Sequence, residues 1–514
     1  MMKIRKALTC SAATSALLLT FAFSQTALGS GQPNKKTDIK PNVVIIYGDD
    51  VGYGDVGAYG ARLIPTPNMD KLAENGLRFT DSHCSSATCT RSRYSLLTGE
   101  MAFRKQGVGI AAGDAKMMID PGQYTLADLF QQEGYKTAII GKWHLGLGAG
   151  KIDWNGEIKP GPEALGFDHY FIFPATNDRT PCIYLANGRV VNFDPADPIT
   201  VSYDGRIPDS VPGTNYPDGI LNPEAITVYK GDKRHSGTII NGIGRIGYMK
   251  GGKSALFKDE TIADVFVEKT EKFILENRDA PFFLIFSAND IHAPRWPHER
   301  FRGKSQAGLR GDAMVSFDWS AGRILDLLKE YGLEENTIVI LTSDNGPVYI
   351  DGGYEDGSDR LTQPGEHYHP AAGIYRGGKY QIYEGGNRVP FIVRWPGKIK
   401  PGVSDALFTQ TDLLASFAAL LGKQIPPGQA RDSRDYLATL LGKDMNGAEI
   451  ILEQARGNAA IRRGTWKYIE EEKELYDLSV DPSETKNLAT KRPDIAAQME
   501  SLLKKYRTQP LSDR

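Results

Sequence analysis

Two spacings of apolar residues alternate along this chain. Short, largely apolar runs predict strands buried on both faces over Asn42–Tyr47, Tyr135–Ile140, Phe282–Ser287 and Thr337–Thr342. Between them, apolar residues recur at helical spacing over Pro67–Asn75, Tyr124–Gly134, Glu260–Asn277 and Ala313–Tyr331, and Leu77–Phe79 reads as a further short strand. Strands that alternate with helices predict an α/β fold, with a large, mostly parallel sheet sandwiched by helices. Each apolar run gives way at once to polar residues: Gly48-Asp49-Asp50, Gly141-Lys142-Trp143-His144, Asn289-Asp290-Ile291-His292 and Ser343-Asp344-Asn345. In such sheets ligands bind beyond the carboxyl ends of the strands, so these clusters are expected at one edge of one sheet.

The rest of the pattern divides the chain. Asp153–Lys253 is rich in Pro, Gly and Asp and lacks periodicity, which predicts a long excursion over the face of the domain with substrate contacts. Thr411–Leu421 reads as the helix that closes a large domain over residues 41–422. Lys423–Gln429, with Pro426 and Pro427, reads as a linker. Residues 430–514 then predict a small α+β domain, with strands within Ala459–Ile469 and Glu474–Leu478 and a helix over Pro493–Tyr506. At the other end, Lys3, Arg5 and Lys6 precede an apolar stretch and the small residues Ala27-Leu28-Gly29, so residues 1–29 read as a signal peptide and 30–40 as a flexible lead-in. No later stretch is long and apolar enough to span a bilayer, so a periplasmic or secreted protein is expected, with no integral membrane segment after cleavage. A net charge of -2 over 514 residues argues against a nucleic-acid partner and leaves any polyanionic substrate to local basic residues.

Candidate chemistry changes the picture most at Cys89-Thr90-Arg91-Ser92-Arg93-Tyr94-Ser95-Leu96-Leu97-Thr98-Gly99. A reactive group at Cys89 would sit near a helix start, where backbone N–H groups and the dipole favour an anion, and Arg93 adds a planar cation suited to an oxyanion. The run resembles the type I sulfatase signature, Cys-x-Pro-Ser-Arg-x-x-x-Leu-Thr-Gly or close to it, with Arg91 where the family usually has proline. Asp49 and Asp50 at one strand end, and Asp344 and Asn345 at another, are oxygen donors that point to a hard divalent ion, calcium ahead of magnesium. The resemblance implies that Asp49, Asp50, Cys89, Asp344 and Asn345 hold this ion. It also implies that a maturation enzyme oxidises Cys89 to formylglycine (3-oxoalanine).

The same resemblance assigns sulfate binding to Lys142 and Lys379, proton donation to the leaving alcohol to His292, and collapse of the sulfated intermediate to His144. Glu384 and Arg388, in Tyr383-Glu384-Gly385-Gly386-Asn387-Arg388, read as a structural ion pair. Within the excursion, Asn177, Asp178, Arg179, His235 and the segment Arg245–Lys253 are candidate sugar or sulfate contacts. The implied activity is release of sulfate from a sulfated oligosaccharide, with galactose or N-acetylgalactosamine units as candidates. Two alternatives stay open at this level: a phosphate or phosphonate ester hydrolase on the same architecture, and an unmatured, calcium-stabilised sulfoglycan-binding relative. With Cys89 occupied and Cys10 removed, Cys84 and Cys182 could pair or remain free thiols.

Overall fold

A computed structural model describes residues 40–348, 353–362, 365 and 368–512. The expected signal peptide and nearly all of the lead-in lie outside the described residues. Among these residues, ten strands form a central sheet in the order Gly402–Ser404, Leu77–Phe79, Phe391–Arg394, Thr337–Ser343, Asn42–Gly48, Phe282–Ser287, Lys136–Lys142, His169–Phe173, Leu185–Ala186 and Arg189–Val190. The five strands from Thr337–Ser343 to His169–Phe173 run parallel, as the alternating pattern requires. Phe391–Arg394 enters antiparallel between Thr337–Ser343 and Leu77–Phe79, and two short antiparallel strands finish the other edge.

The central strands are buried on both faces, and their residues sort by parity. Val43, Ile45 and Tyr47 join the hydrophobic cluster of helices Cys89–Thr98, Leu126–Gln132 and Leu413–Leu420. Val44 and Ile46 join that of Pro67–Glu74, Ile262–Asn277 and Gly308–Glu330 on the opposite face. Each fully buried Ile, Leu or Phe contributes about 1.5–3 kcal/mol relative to exposure, so a one-residue slip of the central strand would be prohibitive. That register has a consequence at the sheet edge. Gly48 pairs with Ser343, Tyr47 with Ser287, and Ser287 with Gly141. The next residues along three of these strands are Asp49, Asp344 and Lys142. Gly141 is required in this arrangement: its φ is +120°, and a Cβ there would stand 1.9 Å from the Ser287 carbonyl oxygen.

Two sequence expectations change. The excursion within Asp153–Lys253 is not wholly outside the sheet, because His169–Phe173, Leu185–Ala186 and Arg189–Val190 belong to it. Pairing with Lys136–Lys142 decides that placement, and no local periodicity announces it. The C-terminal sheet also has a first strand, Ile450–Ala455, ahead of Asn458–Arg463, Trp466–Ile469 and Glu474–Asp477. Helix Pro493–Thr508 packs on this antiparallel sheet through Met499 and Leu503. The described residues fall in one compact unit, and no helix among them is long and apolar enough to cross a membrane. Cys84, Cys89 and Cys182 are free and buried, so Cys84 and Cys182 are not paired.

Candidate functional site

Cys89 is the first residue of helix Cys89–Thr98, with Thr88 as N-cap in an extended conformation. Its thiol therefore sits at the positive end of a helix. Gly99, at φ +64°, ends the helix in the left-handed conformation, as Thr-Gly in the sequence anticipates. One turn on from Cys89, Arg93 reaches under the sheet edge. Its Nε and Nη2 donate to Asp344 Oδ2 at 2.9 and 2.7 Å, and its Nη1 donates to Ser287 Oγ at 2.5 Å. The Tyr47 ring lies 5.1 Å beneath the guanidinium. Arg93 therefore directs its fork at the Asp344 carboxylate and the Ser287 hydroxyl in this structure.

The strand ends meet as the register demands. Lys142 Nζ donates to both Asp49 oxygens at 2.7 Å. Lys379 Nζ donates to Asp50 Oδ2 at 2.8 Å, and Asn345 Nδ2 to Asp50 Oδ1 at 2.7 Å. The Asp50 backbone N–H donates to Asp344 Oδ1 at 3.2 Å. Asp50 has φ +62°, a strained backbone for a non-glycine residue, which turns its carboxylate back toward Asp49. His292 completes the cluster: its Nδ1–H donates to Ala293 O at 2.6 Å and its Nε2 lies 3.9 Å from Asp50 Oδ2. Asp49, Asp50 and His292 each offer a ligand atom within 4.8 Å of one another.

His144 faces Cys89. Its Nε2 lies 3.1 Å from Ala111 O, an acceptor only, so Nε2 carries the proton and Nδ1 presents a lone pair to Cys89 Sγ at 3.2 Å. Burial, with Lys142, Arg179 and Arg93 nearby, holds this imidazole well below its ordinary pKa and therefore neutral. Burial also pushes the Cys89 thiol up, so the unmodified side chain is no thiolate at neutral pH. Burial, with repulsion from Asp344 and Asp50, raises Asp49 to about 8 against the pull of Lys142. For Asp344, burial acts upward, but Arg93, Lys142 and Lys379 outweigh it and hold the carboxyl below its usual range. With all three carboxylates ionised, their charge equals that of Lys142, Lys379 and Arg93. A divalent cation together with a sulfate monoester would come close to preserving that balance.

This chain matches the sulfatase family model over residues 41–423. It belongs to the sulfatase family. It is 46% identical over 496 residues to an N-acetylgalactosamine-6-O-sulfatase of Bacteroides thetaiotaomicron, covering 92% of this chain and 94% of that relative. Human arylsulfatase A is 31% identical over 482 residues, covering 87% of this chain and 83% of its own. A solved 6S-sulf structure from glycosaminoglycan metabolism by Bacteroides thetaiotaomicron superposes with a TM-score of 0.87 at 46% identity, covering 91% of this chain and all of that one. The sulfatase is thus an enzyme that hydrolyses sulfuric esters.

The remaining candidates lie beside this site in an interlocked group. Asp178 takes Arg179 bidentately, Nε to Oδ1 at 2.8 Å and Nη2 to Oδ2 at 2.9 Å, and Arg179 Nη1 donates to the same Ala111 carbonyl as His144, at 2.9 Å. His235 bridges Asp232 Oδ1 at 2.9 Å and Asp178 Oδ2 at 3.5 Å. Asn177 Nδ2 donates to Pro294 O at 3.0 Å. Of these four, Arg179 alone is not classed as buried. Arg245, by contrast, is fully buried against Asp259 and the Asn177 carbonyl, and Lys250 is spent on the Pro208, Asp209 and Val211 carbonyls. Both hold the excursion together and are withdrawn as ligand contacts. Sequence reasoning passed over Ser287, whose Oγ links Arg93 to the Lys142 carbonyl, and the Ala111 carbonyl. The position of Ser287, last in an apolar strand, was the available signal for the first. A backbone carbonyl leaves none.

Proposed function

We propose that this sulfatase is an exported enzyme that removes sulfate from a sulfated sugar, with formylglycine formed from Cys89 as the reacting residue and calcium at the adjoining carboxylates. The observation that carries this reading is the convergence of the Cys89 helix start, Lys142, Lys379 and Asp49, Asp50 and Asp344 at one strand edge. Asn345 Oδ1 is buried without a hydrogen-bond partner while its Nδ2 holds Asp50, which leaves an oxygen turned to a cation. All-oxygen donors on adjoining strand ends suit a hard ion, and calcium accepts irregular geometry more readily than magnesium. Formylglycine would supply an aldehyde hydrate as nucleophile toward sulfur, and the cation would neutralise charge on the sulfate oxygens.

The chain's own groups supply the rest. Lys142 and Lys379 bind sulfate oxygens from beside the carboxylate pair, and Arg93 keeps Asp344 in place. His292, its Nδ1–H held by the Ala293 carbonyl and its Nε2 near Asp50, acts as an imidazolium and gives the Nε2 proton to the alcohol oxygen as the S–O bond breaks. His144, neutral with its Nδ1 lone pair toward the Cys89 position, takes the proton released there when sulfate departs.

The substrate reading rests on the wall shared by Arg179 and the excursion. Tyr203 Oη donates to Thr180 O at 2.5 Å and accepts from the Gly113 N–H at 2.9 Å. Behind it opens a cleft of about 920 Å³, lined by Asp114, Lys116, Asn155 and Tyr203 among others. Such mixed walls, with Trp154 and Ile199 beside the polar side chains, suit the hydroxyls and the apolar face of a sugar. Together with the 46% identical N-acetylgalactosamine-6-O-sulfatase, they support a 6-O-sulfated N-acetylgalactosamine or a related galactose-type unit as the target. Residues 1–29 direct export to the periplasm or beyond, and a formylglycine-generating enzyme is the maturation partner. Mature protein would be assayed on 6-O-sulfated N-acetylgalactosamine, its 4-O-sulfated isomer and an aryl sulfate. A preference of tenfold or more for the 6-O-sulfate supports the assignment, and equal rates on the two isomers overturn it.

A further inference from the structure

A second group of buried charges lies behind the nucleophile, between the central fold and the C-terminal sheet. Its carboxyl groups are those of Asp81, Glu384, Glu453 and Glu484, and its permanent cations are Arg388, Arg462 and Lys467. Arg388 and Arg462 hold Asp81 at 2.8 and 2.6 Å, while Lys467 holds Glu384, Glu453 and Glu484 at 2.9, 3.0 and 3.2 Å. Asp81, His83 and Glu384 have the spacing of a metal site. These cations already take the carboxylate oxygens, so the group needs no ion. His83 sits at the centre with no side-chain exposure. Its Nδ1 lies 2.8 Å from Glu453 Oε1 and its Nε2 2.8 Å from Asp81 Oδ1, with Glu384 Oε2 at 3.9 Å. Arg462 Nη1 lies 3.2 Å from the same Nε2, farther than Asp81 Oδ1, and the two shorter contacts, both to carboxylates that only accept, are met together when the ring donates from each nitrogen as the imidazolium.

This pair of bonds spans a junction that reaches Cys89. Ser82–His83 pairs with Phe408–Thr409 in the central fold, whereas Glu453 belongs to the C-terminal strand Ile450–Ala455. The neighbouring Gln454 is bonded to the segment between His83 and Cys89: its N–H donates to Ser85 O at 2.9 Å, and its carbonyl accepts from Ala87 N at 2.8 Å. We propose that His83 is a positioning residue for the sulfatase reaction, whose imidazolium, bonded to Asp81 and Glu453, locks the C-terminal sheet against the segment that presents residue 89. Burial opposes the charge, but Glu384, Asp81 and Glu453 outweigh it and raise the pKa of His83 above its ordinary 6.5. A raised histidine stabilises fully below the ordinary value and loses its contribution as pH rises through the higher one, so the lock opens on the alkaline side.

The inference rests on Cys89 as the reacting residue, and the test separates the two. His83→Gln and Glu453→Gln would be compared with wild type, after mass spectrometry of the residue-89 peptide has matched their formylglycine content. With an aryl sulfate, each variant should lose about tenfold in kcat with KM within about twofold, and the wild-type alkaline limb should disappear in His83→Gln. The imidazole NMR signal that His83→Gln removes should titrate above the ordinary 6.5, and Glu453→Gln should move its titration downward. A variant with wild-type kcat and an unchanged pH profile overturns the proposal, as does titration of His83 at or below 6.5. If His83→Gln fails to fold, Glu453→Gln carries the same test. If Cys89→Ala kept full activity, the reading of the nucleophile would fall as well.

Discussion

Cys89 Sγ lies 3.2 Å from Nδ1 of His144, whose other nitrogen is committed to the Ala111 carbonyl. That commitment fixes the tautomer, so His144 can take a proton from residue 89 and cannot give one. Cys89→Ala should therefore abolish sulfate release, by at least about a thousandfold, as expected when a covalent nucleophile is removed. The fold should survive, because a small buried side chain with one weak hydrogen bond is lost, at about 1 kcal/mol. Sulfate release and thermal melting on the same preparation check both halves. Near wild-type turnover would dismiss Cys89 as the reacting residue.

Removal of divalent ions should stop turnover, and calcium should restore it. The pH dependence has a definite sign. Burial and the neighbouring Asp344 and Asp50 raise Asp49 to about 8 in the ion-free protein. An ion binds the carboxylate, so protons compete with it below that value, and calcium affinity should fall by up to about tenfold per pH unit below pH 8. Calorimetric titration at pH 6.5 and pH 8.5 measures the difference. Equal affinities would mean that Asp49 is already ionised at both.

Much of this centre was legible in the sequence because apolar runs ending in Asp49, Lys142 and Asp344 need nothing but a common sheet edge to meet. The helix from Cys89 was equally legible, closed by Thr98-Gly99. What escaped depends on pairing between distant segments. Phe391–Arg394 is too short to declare itself and becomes a strand through Thr337–Ser343 and Leu77–Phe79. His83 is one of eight histidines, and nothing near it in sequence points to Glu453, 370 residues away. The reach of Arg93 to Asp344 also escaped, since it follows from helix orientation.

Arg91, where the family usually has proline, has a structural task. Its Nε donates to Val108 O at 3.0 Å and its Nη1 to Arg456 O in the C-terminal hairpin. Arg91→Pro should have two opposed effects. Proline disfavours the helical region for Thr90 and favours extended chain, which suits presentation of Cys89 to a maturation enzyme, so the formylglycine fraction should rise. The folded protein should lose about 1–2 kcal/mol with the two half-exposed hydrogen bonds, visible as a lower melting temperature. Proline remains tolerable there because residue 91 is in the first helical turn. Complete conversion in both proteins would show that Arg91 is neutral to maturation.

Arg179 offers the sharpest test of the sugar assignment, because it touches both halves of the question. Its guanidinium is fixed by Asp178, and its Nη1 shares the Ala111 carbonyl with His144. Burial works against the Asp178 charge, but Arg179 and His235 outweigh it and hold its carboxyl well below the usual range. Arg179 therefore faces the site with its orientation already set, and little ordering cost remains when it meets a sugar hydroxyl or sulfate. Binding energy of that kind is expressed at the transition state of the true substrate. Arg179→Ala should lower kcat/KM on the sulfated sugar by about 10–100-fold, and on an aryl sulfate by less than about threefold. Asp178→Ala should follow the same pattern, since it releases Arg179. Parallel losses on both substrates would mean that Arg179 acts through the Ala111 carbonyl on His144, and the sugar pocket would have to be sought elsewhere.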